Sequence, residues 1–137
     1  MQLKELMTKW NIEVIKTSKY CYINAISNGT EERIGKVCID LDSEDKTRYE
    51  KIYNGKFAKI ILVSTNANNC GCGIATALLN KTIDTLNNYN LYLNVVPLKR
   101  NNNDKDKLGL INFYNKFGFV KYKGDICITT MIRISNK

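Results

Sequence analysis

The sequence has no histidine, and no apolar run in it approaches the roughly 20 residues that are needed to cross a lipid bilayer. The first residues also lack a continuous apolar segment and include an early acid, Glu5, so they do not resemble a signal peptide. These absences exclude a membrane span and predict a cytoplasmic protein with no membrane partner. The 137 residues suffice for one compact core, and no linker or repeat interrupts them, so we expect a single domain over residues 1–137.

Disulfides and metal sites are also poorly supported by the sequence. The cysteines are odd in number and scattered, which favours reduced thiols in the core over a disulfide framework. Cys70-Gly71-Cys72 has one residue between its thiols, which is the wrong spacing for a zinc knuckle, and no histidine could complete a site. No metal is therefore expected. The five cysteines are Cys21, Cys38, Cys70, Cys72 and Cys127.

Acidic residues are scarce in the second part of the chain. Residues 1–51 carry nine basic and nine acidic side chains, whereas residues 52–137 carry twelve basic side chains and four acids, so the whole net charge of +8 lies there. Such a segment attracts anions. Lysines that only solvate the surface of a compositionally biased chain would give the same excess. A nucleic-acid partner also stays open, although no recognised binding motif supports it.

The first part of the chain predicts a helix followed by strands. Apolar residues at helical spacing near the N-terminus predict a short docked helix in which Trp10 is a core anchor. Residues 12–17, 20–27 and 33–41 are strand-like, and the Asn28-Gly29 turn indicates a β-hairpin. The polar residues 42–54 predict an exposed loop. The apolar residues of the N-terminal helix are Leu3, Leu6, Met7 and Trp10.

The second part alternates strands and helices. Residues 57–65 are almost all apolar, which is typical of a central strand covered on both faces. This order predicts an α+β fold with one mixed sheet. After the central strand come a helix over 74–86, a strand over 91–96 that ends at Pro97, and a polar loop over 99–107. The next helix has Leu108, Ile111 and Tyr114 on one face and ends at Gly118. Strands over 119–123 and 126–134 follow it.

A glycine-bearing turn joins the central strand to the next helix. At such a turn, unpaired backbone N–H groups and the positive end of the helix dipole converge, and glycine lets the backbone approach an anion closely. Gly71-Cys72-Gly73 alone is also typical of a plain connection. The turn does not match the Walker or Rossmann nucleotide-binding motifs, because no Gly-Lys-Ser/Thr is present and no G-x-G-x-x-G follows an N-terminal strand.

The same turn is part of a longer pattern. Val63-Ser64-Thr65, followed by Cys70-Gly71-Cys72-Gly73-Ile74-Ala75 and Thr76-Ala77-Leu78-Leu79, resembles the acetyl-CoA signature of the GNAT superfamily, Gln/Arg-x-x-Gly-x-Gly/Ala. Gly73 matches the invariant glycine and Ala75 the second small residue. Cys70 departs from the expected Gln or Arg, which removes one polar side chain near the pyrophosphate but no backbone N–H group.

A second match lies about forty residues further on. Residues 110–119 resemble the family's fourth helix, which often reads Leu/Phe-Tyr-x-x-x-Gly-Phe, and the two matches together cover residues 57–123. The N-terminal part departs from the family, because a hairpin replaces the two helices that usually follow the first strand. The loop before the tyrosine helix resembles that of small phage-encoded members.

The resemblance implies an acetyl-CoA-dependent N-acetyltransferase in which an amine attacks the thioester directly. It implies a mostly antiparallel sheet flanked by helices and splayed between the strands at 57–65 and 91–96. Tyr114 maps to the tyrosine that protonates the leaving thiolate, and its phenol holds a proton at neutral pH. The implied cofactor-binding residues are Val63, Ser64, Thr65, Cys70, Gly71, Cys72, Gly73, Ile74, Ala75 and Asn112.

The general base and the acceptor stay open. Asp40 and Asp42 are candidate bases, but both are also typical solvated strand-end acids, and an amine can lose its proton through ordered water. The acceptor stays open among a protein lysine or N-terminus, a small amine such as a polyamine or an aminoglycoside, and an aminoacyl-tRNA. The alternatives are a degenerate GNAT-fold binding module without catalysis and an RNA-directed acetyltransferase toxin, and a homodimer also stays open.

Overall fold

A computed structural model describes residues 10–65, 73–95, 104–124 and 129–135. Over these ranges the chain forms strands and helices in an order that follows the sequence prediction closely. The strands are β1 (Trp10–Lys16), β2 (Tyr20–Ser27), β3 (Arg33–Asp40), β4 (Lys56–Thr65), β5 (Tyr89–Asn94), β6 (Val120–Lys121) and β7 (Thr130–Arg133). The helices are α1 (Lys46–Glu50), α2 (Ile74–Thr85) and α3 (Asp104–Asn115).

The strands form one sheet in the order β1-β2-β3-β4-β5-β7-β6. β4 and β5 pair in parallel from Lys56↔Tyr89 to Lys59↔Tyr92, while β1–β2, β2–β3, β5–β7 and β6–β7 are antiparallel. The predicted α+β class with a mixed, mostly antiparallel sheet is therefore confirmed, and the splay beyond the last parallel pair stays a prediction. The described residues pack as two compact units, 10–41 with 61–65 and 73–86, and 42–60 with 87–95, 104–124 and 129–135.

The first unit is an antiparallel meander of β1, β2 and β3, on which α2 packs. Alternate residues of β2 and β3 are fully buried, including Ile23 and Val37, and the same is true of Leu78 and Leu79 on α2. Full burial of each such side chain stabilises the fold by about 1.5–3 kcal/mol. The predicted strands over 20–27 and 33–41 and the predicted helix over 74–86 are confirmed.

Two tight connections join these three strands. Between β1 and β2, Thr17 N donates to Tyr20 O over 2.8 Å, so these two antiparallel strands form a hairpin. Between β2 and β3, Ser27 N donates to Glu32 O over 2.8 Å. The hairpin predicted from Asn28-Gly29 is present, but the positive φ of 59° falls on Glu31, because this connection is longer than a two-residue turn.

The second unit contains an aromatic core. Tyr49 of α1 packs with Phe57, Tyr92 and Ile132, all of which are at most 2% exposed. The prediction of an exposed loop over 42–54 is therefore wrong, because one turn of helix buries Tyr49 within that polar stretch. The charged residues of this stretch hid the two tyrosines, Tyr49 and Tyr53, that pack in the aromatic core.

The ends of several elements differ from the predictions. Trp10 begins β1 opposite Ser27 and is half-buried, so it is neither helical nor a core residue, while residues 1–9 lie outside the described ranges. β4 is not covered along its whole length, because Ile61 and Leu62 are 48% and 45% exposed. Both lie beyond Lys59, the last β4 residue in register with β5.

Further corrections concern the elements after α2. β5 begins at Tyr89, two residues before the predicted start, because Tyr89 pairs with Lys56 of β4. α3 begins at Asp104, inside the predicted loop, and Leu108 is 59% exposed rather than on the buried face. β6 and β7 are shorter than predicted, and residues 96–103 and 125–128 lie outside the described ranges.

Candidate functional site

The amino-terminal end of α2 presents backbone N–H groups that have no acceptor within the helix. Gly73 is the N-cap residue, and its φ of +78° is a left-handed conformation that favours glycine. The first helical bond joins Ala77 N to Gly73 O over 3.0 Å, so the N–H groups of Ile74, Ala75 and Thr76 have no intrahelical acceptor. No acid lies in this turn to neutralise the helix dipole. This end of α2 can therefore bind an anion.

Among the described residues, nothing crowds Gly73. Gly73 is exposed, and a Cβ built on it would meet none of the described atoms within 4 Å. Backbone conformation, rather than crowding, therefore accounts for a glycine at this position. Cys70, Gly71 and Cys72, the other residues predicted to form the turn, lie outside the described ranges.

Gly35 brings α2 close to the last residues of β4. A Cβ on Gly35 would lie 2.8 Å from Ile74 Cγ2 and 3.4 Å from the carbonyl oxygen of Ser64. A larger residue at this position would push α2 away from the strands. Sequence reasoning missed Gly35, although a glycine inside a strand is a signal of close backbone approach.

Tyr114 lies near the carboxyl end of α3 and is buried, with 9% of the residue exposed. Its ring contacts those of Phe113 and Phe119 at centroid distances of 5.3 and 5.9 Å. Burial raises the pKa of its phenol, so the hydroxyl keeps its proton at neutral pH. Asn112, two positions earlier, is exposed, so it lies on the other side of α3.

Comparison with known proteins gives a consistent result for the fold. No protein-family model and no curated protein matches the sequence. Among solved structures, the chain is similar to Arabidopsis thaliana NAA60 in complex with a bisubstrate analogue, with a TM-score of 0.65, 16% identity and coverage of 87% of this chain and 77% of the other. It is also similar to the PaiA N-acetyltransferase of Thermoplasma acidophilum in complex with coenzyme A, with a TM-score of 0.56, 15% identity and coverage of 84% and 60%.

The chain has the GNAT fold. A third similar structure, a protein of Pyrococcus horikoshii, has a TM-score of 0.62 and 24% identity over 85% of this chain and 66% of the other. The chain therefore spans less than two thirds of the length of two of these three proteins.

The residues predicted from the GNAT resemblance fall into two sets. Those of β4 and α2 belong to the first unit, and those of α3 belong to the second. In the first set, Ser64 and Gly73 are exposed, whereas Ile74 is buried. The first set comprises Val63, Ser64, Thr65, Gly73, Ile74 and Ala75, and the second comprises Asn112 and Tyr114.

Gly118 and Phe119, which follow Tyr114 in the tyrosine motif, are explained by the way in which α3 ends. Gly118 has a φ of +91°, Gly118 N donates to Asn115 O over 3.1 Å, and Phe119 N donates to Tyr114 O over 3.3 Å. These two bonds form the Schellman motif that ends α3, and the contact between the Tyr114 and Phe119 rings completes it. Gly118 and Phe119 therefore fix where Tyr114 lies but do not by themselves indicate catalysis.

A polar network around Asp45 was not predicted. The carboxylate accepts hydrogen bonds from Tyr92 Oη at 2.5 Å, Ser43 Oγ at 2.7 Å and Lys59 Nζ at 3.1 Å. Burial raises the pKa of Asp45, but these bonds outweigh it and leave the pKa below its usual range. Burial and the bond to Asp45 raise the pKa of Tyr92. The network ties the start of α1 to the last parallel pair, Lys59↔Tyr92.

The candidate bases lie at the end of β3. Asp40 is half-buried as the last residue of that strand, opposite Tyr20 of β2. Asp42 lies two residues further on and forms an ion pair with Lys46 over 2.7 Å, with 69% of its side chain exposed. Neither is assigned as a base by this placement.

Metal-binding clusters and reactive thiols are other kinds of site that the described ranges could hold. These ranges contain no group of three or more Cys, Asp or Glu side chains arranged to hold a metal ion. Cys21 and Cys38 are buried free thiols, and burial raises the pKa of both. Among the helices of the same ranges, none is both long enough and apolar enough to cross a membrane.

Proposed function

We propose that this chain is an acetyl-CoA-dependent N-acetyltransferase in which an amine attacks the thioester directly. The observation that carries the proposal is the amino-terminal end of α2. This helix begins at the exposed N-cap residue Gly73 and follows β4, the longest described strand of a GNAT-fold sheet. Its N–H groups without an acceptor in the helix suit a pyrophosphate. Similarity to the structure of the PaiA N-acetyltransferase in complex with coenzyme A supports the same ligand.

The residues present fit acetyl-CoA. The N–H groups of Ile74 and Ala75, the backbone of Gly73 and the signature residues Cys70–Cys72 would hold the pyrophosphate, and the backbone of Val63–Thr65 would hold the pantetheine arm. Asn112 is a further proposed contact. Acetyl-CoA supplies an acetyl group that is activated as a thioester.

Tyr114 is the proposed general acid. Its phenol holds a proton at neutral pH because burial raises its pKa, so it can donate that proton to the leaving thiolate. Direct attack by the amine needs no enzyme nucleophile, and the thiols of Cys70 and Cys72 therefore need not be acylated. Asp40 and Asp42 remain the candidate bases, with proton loss through ordered water as the alternative.

The proposed acceptor is an amine of a protein, either an N-terminus or a lysine, or a small amine. Similarity to the PaiA N-acetyltransferase supports the transfer of an acetyl group to an amine but not a choice among these amines. A single domain over residues 1–137 in the cytoplasm belongs to the same proposal. RNA as the acceptor, and a homodimer, stay predictions.

Turnover tests the proposed function. Wild-type protein with acetyl-CoA and a panel of peptides, polyamines and aminoglycosides should release free coenzyme A, detected by its thiol, faster than buffer does. Protein without an added amine is the control for hydrolysis. Tight binding of coenzyme A with no release for any amine would contradict catalysis and indicate the degenerate binding module instead.

A further inference from the structure

Arg133 contacts the end of the helix that carries Tyr114. It is the last residue of β7 and pairs with Leu91 of β5. Its Nε donates a hydrogen bond to the carbonyl oxygen of Phe117 over 2.8 Å. A Cβ on Gly118 would lie 3.4 Å from the same nitrogen, so the Arg133 side chain packs directly against the glycine.

The Phe117 carbonyl belongs to the turn that holds Tyr114. The carbonyl oxygen of Tyr114 accepts bonds from Phe117 N at 3.0 Å and from Phe119 N at 3.3 Å. The Tyr114 ring rests on Phe119, which is fully buried. A cation at this end of α3 also complements the negative end of the helix dipole. The backbone and the ring of Tyr114 are therefore both attached to the turn that Arg133 anchors to β7.

We propose that Arg133 is a positioning residue for Tyr114. By anchoring the Phe117 carbonyl to the sheet, it fixes the direction in which the Tyr114 hydroxyl donates its proton. This proposal rests on the proposed function, with Tyr114 as the acid. Since a displacement of about 1 Å can lower turnover by ~10²-fold, loss of the anchor lowers kcat. KM for acetyl-CoA changes little, because the proposed pyrophosphate and pantetheine contacts lie on α2 and β4, and only Asn112 lies on α3.

A double-mutant cycle of Arg133→Met and Tyr114→Phe tests the proposal. Arg133→Met keeps an unbranched stem and removes the donor and the charge. We expect it to lower kcat by about 10- to 10²-fold while KM for acetyl-CoA changes by less than about twofold. In the Tyr114→Phe background the same substitution should change kcat by less than about twofold, because the hydroxyl that it positions is absent.

Two further variants control the cycle. Arg133→Lys keeps a positive donor on a flexible stem and should recover part of the lost kcat. Arg33→Met removes an exposed arginine at the start of β3 and should leave kcat and KM unchanged. If Arg133→Met does not fold, as judged by its melting curve, Arg133→Gln takes its place in the cycle with the same expected pattern.

Several outcomes would overturn the proposal. An equal loss of kcat with and without the Tyr114 hydroxyl would show a general loss of structure instead of positioning. If Arg133→Met had the wild-type kcat while Tyr114→Phe was slow, the positioning role of Arg133 would be contradicted, but the proposed function would not. A wild-type kcat in Tyr114→Phe alone would show that Tyr114 is not the general acid, and it would contradict the positioning role of Arg133 as well.

Discussion

Tyr114 is surrounded by aromatic side chains, and these decide what its hydroxyl can do. The ring is buried against Phe113 and Phe119, and the burial raises the pKa of the phenol. A phenol ordinarily ionises near pH ~10, so this one is protonated throughout the neutral range. It can therefore donate a proton to a leaving thiolate, but it is not a base at neutral pH.

Removal of this one oxygen should change the rate and leave the fold unchanged. We expect Tyr114→Phe to lower kcat by ~10²–10⁴-fold, which is the usual range for the loss of a general acid. The melting temperature should hardly move, because no hydrogen bond to the Tyr114 hydroxyl is found within the described residues and the aromatic ring is retained. Thiol release and a thermal melt measure the two effects.

Tyr53→Phe is the matched control for this substitution. Tyr53 is a half-buried tyrosine beside the aromatic core of the same unit, and its variant should keep the wild-type kcat. If Tyr114→Phe turned over at the wild-type rate but melted at a lower temperature, Tyr114 would be a core aromatic and not the acid.

Single residues differed in how far the sequence could predict their roles. Gly73 and Tyr114 could be selected because each belongs to a short local pattern. Asp45 and Arg133 could not, since their partners are distant in the chain: Tyr92 is 47 residues from Asp45, and Phe117 is 16 residues from Arg133. Such contacts depend on strand order and on the path of the connections, neither of which local patterns reveal.

The short helix α1 shows the same limit at the scale of an element. It spans Lys46–Glu50 within a charged stretch, and only Tyr49 of its residues is buried. Asp45 precedes it as the N-cap residue, yet its carboxylate makes no cap bond and instead bridges Lys59 and Tyr92. α1 is therefore held by one aromatic ring and one carboxylate rather than by an apolar face.

The lowered pKa of the Asp45 carboxylate makes the stability of the fold depend on pH. Because the folded pKa of Asp45 is lowered, its charge stabilises the fold above the unfolded pKa, near ~3.9, and this contribution is lost as pH falls through the lower folded value. Asp45→Asn should thus unfold at lower urea than wild type at pH 7, and the difference should shrink below pH ~4. The side chain is 44% exposed, so solvent screening limits the effect to about 1 kcal/mol.

Asp84→Asn, on the exposed side of α2, is the control and should show no such pH-dependent difference. A difference between wild type and Asp45→Asn that stayed constant from pH 7 to pH 3 would contradict the account, because it would not come from the charge.

Strands were easier to predict than their ends. β2 has the predicted bounds, and β3 and β4 each differ from prediction by one residue, because β-branched and apolar runs mark buried strands clearly. Hydropathy places the start of β5 too late, because the strand includes Asn90, a polar residue that is buried. Its side chain donates to Asn54 O over 2.9 Å and accepts from Ser135 N over 2.8 Å. Hydropathy alone misplaces a strand end that is held by such bonds.

For the whole molecule, two local patterns were sufficient to predict the fold. The glycine turn before α2 and the tyrosine motif of α3 appear in the order that the GNAT fold requires, and the sheet order is consistent with that fold. The acceptor could not be predicted in the same way. Neither pattern includes a residue for the acceptor of the proposed reaction, and the hairpin before the central strand lies outside both patterns.

Binding of coenzyme A at the start of α2 tests the central claim most directly. Calorimetry would compare wild type with Gly73→Asp and Gly73→Asn, which share a similar shape and a similar strain at positive φ but differ in charge. Gly29→Asp, in the open turn between β2 and β3, controls for an added carboxylate elsewhere. The account predicts that Gly73→Asp binds at least about tenfold more weakly than Gly73→Asn, because its carboxylate repels the pyrophosphate, and that Gly29→Asp binds as wild type does. Equal affinity of the two Gly73 variants and wild type would contradict it.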